Sequence, residues 1–163
     1  MSIFPKILLA TDGSEEANLA ARTAVELAQK TGSELHVVHA RLIPALVSYS
    51  PDETQTTSET YEEQVKKRFQ RLLDEQVEQV KAEGGSVAQA HLRLGRPDRE
   101  IVALAEEIGV GLIVMGSRGL GGMRRTLLGS VSEYVVRHAH CRVLVVRQEK
   151  PEKETESEAV APV

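Results

Sequence analysis

A glycine-rich segment connects an apolar run to an amphipathic one in the C-terminal half of the chain. Gly116 and Gly119 follow the apolar run at residues 112–115, and Gly129 and Ser130 come after nine further residues. From Ser130 onward apolar residues recur every three to four positions, which indicates a helix. A strand-to-helix loop of this kind brings unpaired backbone N–H groups and the positive end of a helix dipole into one hollow. The segment therefore predicts a phosphate site, and hence a nucleotide site.

The same spacing has an explanation that involves no ligand. Ser130 with Glu133 three residues later matches a capping box, in which side chains satisfy the first amides of a helix. The glycines would then only shape the turn. Two common nucleotide motifs do not occur, since the chain has no G-x-x-x-x-G-K-[S/T] and no G-x-G-x-x-G after its first apolar run. Both explanations stay open, and they are compatible with each other.

Asp12 is a second candidate, because Asp12-Gly13-Ser14 follows the first apolar run directly. In an open parallel sheet, ligands bind outside the carboxyl ends of the strands, where the strand order reverses. The first strand is expected at that reversal, beside the fourth, so Asp12 and Gly116 would face one crevice. The alternative role of Asp12 is to cap the following helix, directly or beside Ser14.

Other reactive side chains carry weaker signals. Arg118, Arg124 and Arg125 lie in the glycine-rich segment, where guanidinium groups could grip phosphate, although exposed loop arginines are commonly solvated. Residues 138–141 (His-Ala-His-Cys) suggest a metal cluster, but side chains at i and i+2 of a helix diverge, so no metal site is predicted. Asp12 is the only acid near the expected phosphates and no nucleophile–histidine pair is apparent, so no catalytic residue is predicted.

Nine segments must position these residues. Short apolar runs without polar alternation are typical of strands buried on both faces, and apolar residues at a spacing of three to four indicate helices. Their alternation predicts a doubly wound α/β fold with a parallel sheet and helices on both faces, a Rossmann-like nucleotide-binding fold. The expected strands are 7–10, 35–40, 87–94, 112–115 and 141–147, and the expected helices are 15–30, 59–82, 97–108 and 130–138.

The spacing Gly116-x2-Gly119-x9-Gly129-Ser130 resembles the ATP-binding pattern of the universal stress protein family, and residues 10–14 resemble the end of that family's first strand. The resemblance covers about residues 3–147. It implies a five-stranded parallel sheet of order 3-2-1-4-5 and a bound ATP, with Mg²⁺ or Mn²⁺ held through the phosphates. It also implies a homodimer through the fifth strand, Arg142 to Arg147.

The resemblance further implies roles for single residues. Asp12 and the backbone near Ala40 would hold the adenosine. Met115 and Gly116 would lie along the ribose, and residues of the glycine-rich segment and the next helix would take the phosphates. The complete predicted cofactor-binding set is Ala10, Thr11, Asp12, Ala40, Met115, Gly116, Gly119, Gly129, Ser130, Val131 and Ser132.

Composition excludes several other classes. With 163 residues, 41% of them hydrophobic, the chain fits one domain, residues 1–147, followed by an acidic tail, residues 148–163, that is expected to be disordered. A net charge of −4 and only 3% aromatic residues disfavour nucleic-acid partners. One cysteine and no membrane-length apolar run indicate a cytoplasmic protein without a membrane partner.

The leading hypothesis is an ATP-binding regulator in the stress response, in which bound nucleotide biases conformation or partner choice. The first alternative is a slow ATP hydrolase, so any enzymatic activity is expected to be at most weak. The second is a dimeric interaction module whose glycine-rich segment binds no nucleotide. The long polar stretch at residues 42–57 is a candidate lid over the ligand.

Overall fold

A computed structural model describes residues 2–43, 56–118 and 128–148, with the backbone alone for residues 56–60. Strands and helices alternate along these residues, as the apolar periodicities predict. The strands are Lys6–Ala10 (β1), Glu34–Arg41 (β2), Val87–Leu94 (β3), Leu112–Gly116 (β4) and Arg142–Val146 (β5). The helices are Glu15–Thr31 (α1), Thr56–Ala82 (α2), Pro97–Ile108 (α3) and Ser130–His138 (α4).

The strands form one parallel sheet of order β3-β2-β1-β4-β5. This confirms the predicted doubly wound α/β fold and its strand order. The order reverses at β1, which pairs with β2 on one side and β4 on the other, so the carboxyl ends of β1 and β4 are adjacent. Ala10 at the end of β1 lies opposite Met115 of β4. A crevice is expected at this reversal.

Both faces of β1 are covered. Ile7 and Leu9 pack in a core with α1 and α2, whereas Leu8 and Ala10 pack in a second core with α3 and α4. Successive side chains of a strand point to opposite faces, so a strand between two helical layers needs apolar residues at every position. This is why the run shows no polar alternation.

Several predicted boundaries shift by a few residues. Helix α2 begins at Thr56, whereas Glu59 was the expected start, because the polar residues before Glu59 carry no apolar period. Strand β5 begins at Arg142 and ends at Val146, since its pairing with β4 runs between those two residues. Residues 44–55 of the predicted lid, residues 149–163 of the predicted acidic tail and the loop segment 119–127 lie outside the described residues, whereas Thr56 and Thr57 at the end of the predicted lid belong to α2. Among the described helices, none is long and apolar enough to cross a membrane.

Candidate functional site

A cleft of about 700 Å³ opens at the carboxyl ends of β1, β2 and β4. The first turns of α1, α3 and α4 complete its walls. Of the eleven predicted cofactor-binding residues, ten line this cleft, and Gly119 lies outside the described residues. The ten are Ala10, Thr11, Asp12, Ala40, Met115, Gly116, Gly129, Ser130, Val131 and Ser132.

The floor of the cleft is apolar. Ala10, Ala40 and Met115 stand at the ends of three neighbouring strands and are each at most 9% exposed. Because the side chains of the two alanines are small, they leave space for a ligand above the strand ends. Ile101 of α3 and Val131 of α4 add apolar side walls. An apolar floor with a few polar groups at its rim suits a flat aromatic ring system.

Asp12 braces the turn between β1 and α1. One of its carboxylate oxygens, Oδ1, accepts a hydrogen bond from the Ser14 amide at 2.9 Å. Ser14 is the N-cap of α1, because its hydroxyl oxygen accepts from the Ala17 amide at 3.2 Å. The predicted capping role therefore falls to Ser14, with Asp12 beside it. A carboxylate has about four acceptor positions, so this hydrogen bond is compatible with a ligand contact.

Thr11 links the end of β1 to two other elements. Its hydroxyl donates to Gln76 Oε1 of α2 at 2.8 Å, and its carbonyl accepts from His39 Nδ1 of β2 at 2.9 Å. His39 is 1% exposed and also contacts the ring of Phe69 edge-on. The sequence predicted a strand position for His39 but not this contact, because nothing in local spacing relates residues so far apart in the chain.

Gly116 lies where the chain leaves β4 and passes against the first turn of α1. A Cβ atom at this position would lie 3.0 Å from Glu16 Cβ, 3.2 Å from the Glu16 carbonyl carbon and 3.3 Å from the Ala17 nitrogen. Two of these three neighbours are backbone atoms, which cannot move without shifting the helix. The close approach of the two backbones therefore favours glycine here, because a Cβ would need its neighbours to shift.

Ser117 closes the base of the glycine-rich loop. Its residue is fully buried, and its amide donates to the Val146 carbonyl at 2.9 Å. Its carbonyl accepts from the Gly129 amide at 2.6 Å and from Ser132 Oγ at 2.7 Å. The two ends of the loop are thereby tied together beside the start of α4. Sequence reasoning did not single out Ser117, since only the fold brings residues 117, 129 and 146 together.

The predicted capping box of Ser130 and Glu133 is wrong. Helix α4 begins at Ser130 with Gly129 as its N-cap, and no side chain makes a capping hydrogen bond. The Glu133 carboxylate instead pairs with Arg137 at 2.9 Å. Because the first amides of a helix have no acceptor within the helix, the start of α4 presents N–H donors at the cleft. The positive end of the helix dipole adds to this preference for an anion.

The weaker candidates from the sequence are the loop arginines and the segment at residues 138–141. Arg118 lines the cleft near the start of α4, whereas Arg124 and Arg125 lie outside the described residues. His140 Nε2 lies 3.3 Å from a Glu106 oxygen, and Cys141 is a half-buried free thiol. Within the described ranges, no group of three or more His, Cys, Asp or Glu side chains could hold a metal ion.

A parallel sheet of order 3-2-1-4-5, with a cleft at its strand reversal and a helix start facing that cleft, defines a Rossmann-like α/β protein. The chain can be placed more narrowly. Residues 4–147 match the model of the Universal stress protein family, and the chain belongs to that family.

Curated relatives agree with this assignment. A universal stress protein of Thermus aquaticus is 39% identical over 145 residues, which cover 89% of this chain and 100% of that protein. The universal stress protein YxiE of Bacillus subtilis is 36% identical over 149 residues, covering 89% of this chain and 100% of that protein.

Solved structures with the same fold include the universal stress protein UspA from Lactobacillus plantarum, with a TM-score of 0.70 and 26% identity. The match covers 87% of this chain and 97% of the UspA chain. A universal stress protein in complex with cAMP has a TM-score of 0.64 and 25% identity over 90% of this chain and 98% of its own. The Archaeoglobus fulgidus protein in complex with dAMP has a TM-score of 0.57 and 26% identity over 90% and 99%, respectively.

Proposed function

We propose that this chain is an ATP-binding universal stress protein that acts as a nucleotide-dependent regulator in the stress response. One observation carries the proposal, namely the convergence of ten predicted nucleotide-binding residues on a single cleft. The cleft has an apolar floor at one end and the uncapped start of α4 at the other. An adenine nucleotide needs both surfaces, one for its base and one for its phosphates.

The nucleotide lies across the strand ends in this proposal. Adenosine occupies the floor near Asp12 and Ala40, and the ribose lies along Met115 and Gly116. The phosphates bind the backbone amides at the start of α4, from Ser130 to Ser132, and lie against Gly119 and Gly129, whose own amide donates to the Ser117 carbonyl. The backbone amides and the Arg118 guanidinium there are donors that suit phosphate oxygens. Mg²⁺ or Mn²⁺ is held through the phosphates in this proposal, as the family resemblance implies.

Two structural neighbours support an adenine nucleotide as the ligand class. One is a universal stress protein in complex with cAMP, and the other is a relative in complex with dAMP. Both ligands share an adenine base and a single phosphate group. We place ATP above them for this chain because the glycine spacing matches the family's ATP-binding pattern.

Isothermal titration calorimetry with MgATP, cAMP and dAMP tests the proposal directly. We expect one MgATP per chain with a micromolar Kd and weaker binding of both monophosphates. A regulator that binds nucleotide without turnover should release phosphate only at the background rate over an hour, even though the Asp12 and Glu133 carboxylates line the cleft. Release within minutes would favour the slow hydrolase, and titrations without heat for any nucleotide would favour the interaction module.

A homodimer through β5 is a second part of the proposal. β5 stands at one end of the sheet, and its valine and leucine side chains are only half-buried in the single chain. Edge strands of this kind commonly pair between copies.

Light scattering should give a mass near twice the 17.9 kDa of one chain. Val145→Arg should yield monomers, while Ala90→Arg on the opposite edge strand β3 should remain dimeric; equal masses for the two variants would contradict this interface.

We further propose that residues 1–147 form a universal stress protein domain, that residues 148–163 are an acidic tail, and that the protein works in the cytoplasm without nucleic-acid partners. The family match over residues 4–147 supports the domain assignment, and the net charge of −4 argues against nucleic-acid partners. The role of residues 42–57 as a lid stays a prediction.

Two serines of α4 should separate ligand binding from stability. Ser130 is exposed and makes no capping hydrogen bond, so Ser130→Ala should leave the unfolding free energy unchanged. The same change should raise the Kd for MgATP about tenfold, because the ligand loses one hydrogen bond to a charged group. Ser132 is 2% exposed and its hydroxyl donates to the Ser117 carbonyl. Ser132→Ala should therefore lower the unfolding free energy by about 1 kcal/mol.

Urea unfolding and calorimetric titration measure the two effects on the same preparations. The placement of the phosphates is contradicted if Ser130→Ala binds MgATP as tightly as the wild type does.

A further inference from the structure

Glu16, in the first turn of α1, joins three separate parts of the chain. Its Oε2 atom accepts a hydrogen bond from Ser117 Oγ at 2.5 Å and another from the Arg118 amide at 2.8 Å. The backbone of Gln148, just past the end of β5, also lies near enough to help lower the pKa of this carboxylate. One side chain thus connects the start of α1, the exit of β4 and the exit of β5.

The carboxylate is ionised at neutral pH. Burial raises the pKa of Glu16, but hydrogen bonds from Ser117 and Arg118, together with the backbone of Gln148 and the positive charge of Arg118, outweigh burial and hold that pKa below its ordinary value. A negative charge in the first turn of α1 is also favoured by the helix dipole. The contacts therefore persist from neutral pH down to the depressed pKa and are lost only below it.

These contacts lie at Ser117 and Arg118, where the chain leaves β4 and the glycine-rich segment continues. The Glu16 carboxylate accepts from the hydroxyl of Ser117 and from the amide of the next residue, and these two contacts restrain Ser117. The Ser117 carbonyl is thereby directed toward Gly129 and Ser132. A chain of hydrogen bonds runs from the α1 carboxylate through Ser117 to the start of α4, where the phosphates are proposed to bind.

We propose that Glu16 is a positioning residue for the described ends of the glycine-rich segment, Ser117–Arg118 and Gly129, beside the proposed phosphate site. It touches no nucleotide in this arrangement and acts by holding Ser117 and Arg118 against the start of α4. The expected effect of Glu16 on affinity rests on the proposed nucleotide function. The expected effect of Glu16 on Ser117 and Arg118 does not depend on any ligand.

Hydrogen exchange without nucleotide tests the ligand-independent part. Glu16→Ala should accelerate exchange of the Arg118 and Gly129 amides at least tenfold. The Arg118 amide loses its acceptor on Glu16, and the Gly129 amide donates to Ser117, which loses its contact with Glu16. Glu15→Ala is the matched control, since Glu15 is an exposed acid in the same turn of α1. Unchanged exchange at both amides in Glu16→Ala would overturn the proposal.

Calorimetric titration with MgATP and with adenosine, well below the melting temperature of each variant, tests the effect on affinity. Glu16→Ala should weaken MgATP about tenfold and leave adenosine within twofold, because adenosine contacts the strand ends and not the loop. Glu16→Gln keeps an oxygen acceptor and should recover most of the MgATP affinity. Glu15→Ala should bind both ligands as the wild type does.

The outcomes separate the two proposals. If the wild type binds neither ligand, the nucleotide function is wrong, and the exchange experiment still decides whether Glu16 orders the loop. If the wild type binds both and Glu16→Ala weakens both equally, Glu16 has a general structural role and the positioning proposal is wrong. An unchanged MgATP affinity in Glu16→Ala would reject it as well.

Discussion

Millimolar MgATP should raise the melting temperature of the wild-type protein by about 8–16 °C. A ligand that binds only the folded state, present at about a thousand times its Kd, adds about 4 kcal/mol to the free energy of unfolding. Each kcal/mol corresponds to about 2–4 °C for a chain of this size. The measurement is a thermal unfolding curve, followed by circular dichroism, with and without the nucleotide.

Two controls show whether this stabilisation comes from the proposed cleft. Millimolar adenosine should give a smaller shift, because it cannot use the amides at the start of α4. The Ser130→Ala variant should keep the melting temperature of the free protein. Its MgATP-induced shift should be smaller by about 3–6 °C, because a tenfold weaker Kd removes about 1.4 kcal/mol of stabilisation. A full shift in Ser130→Ala, or no shift in the wild type, would exclude the proposed arrangement.

Gly116→Ala should lower the free energy of unfolding by about 3 kcal/mol, at the upper end of what overpacking costs, and weaken MgATP more than tenfold. The added Cβ would lie 3.2 Å and 3.3 Å from two backbone atoms of Glu16 and Ala17. Because these atoms belong to the first turn of α1, either that turn or the exit of β4 has to move. Both border the cleft, so stability and affinity should fall together.

Gly111→Ala is the matched control for Gly116→Ala. A Cβ at Gly111 would meet its nearest neighbour, Phe4 Cα, at 3.4 Å, which is an ordinary contact distance. Gly111 lies just before β4, at the end of that strand away from the cleft. We expect urea unfolding of Gly111→Ala to differ little from the wild type and its MgATP affinity to be unchanged. Equal losses in the two variants would mean that the close approach to α1 is unimportant.

The fold could be predicted largely from local patterns. The unbroken apolar runs of β1 and β4 predict strands covered on both faces, and the regular alternation with helices restricts the topology to a parallel, doubly wound sheet. The order of the strands came from the resemblance to a family and not from the runs themselves. Helix starts were less certain, since the polar first turn of α2 carries no apolar period.

Much of the cleft could also be predicted, because strand ends and glycine spacing are local features of the sequence. Asp12 and Gly116 were expected to share a crevice because each follows a strand beside the reversal, and both line the same cleft. The capping box at Ser130 was a local alternative that the structure does not contain. Gly129 takes the N-cap position there, so the amides of α4 remain for a ligand.

By itself, the sequence determined which segments become buried strands and which glycines follow them, since both depend on residues adjacent in the chain. Only the tertiary structure decided how the loop is held. Glu16 meets Ser117 across 101 positions and His39 meets Thr11 across 28, and nothing in local spacing encodes either contact. The physical reason is that a hydrogen bond depends on distance in space, which packing of the helices on the sheet establishes after the local elements have formed.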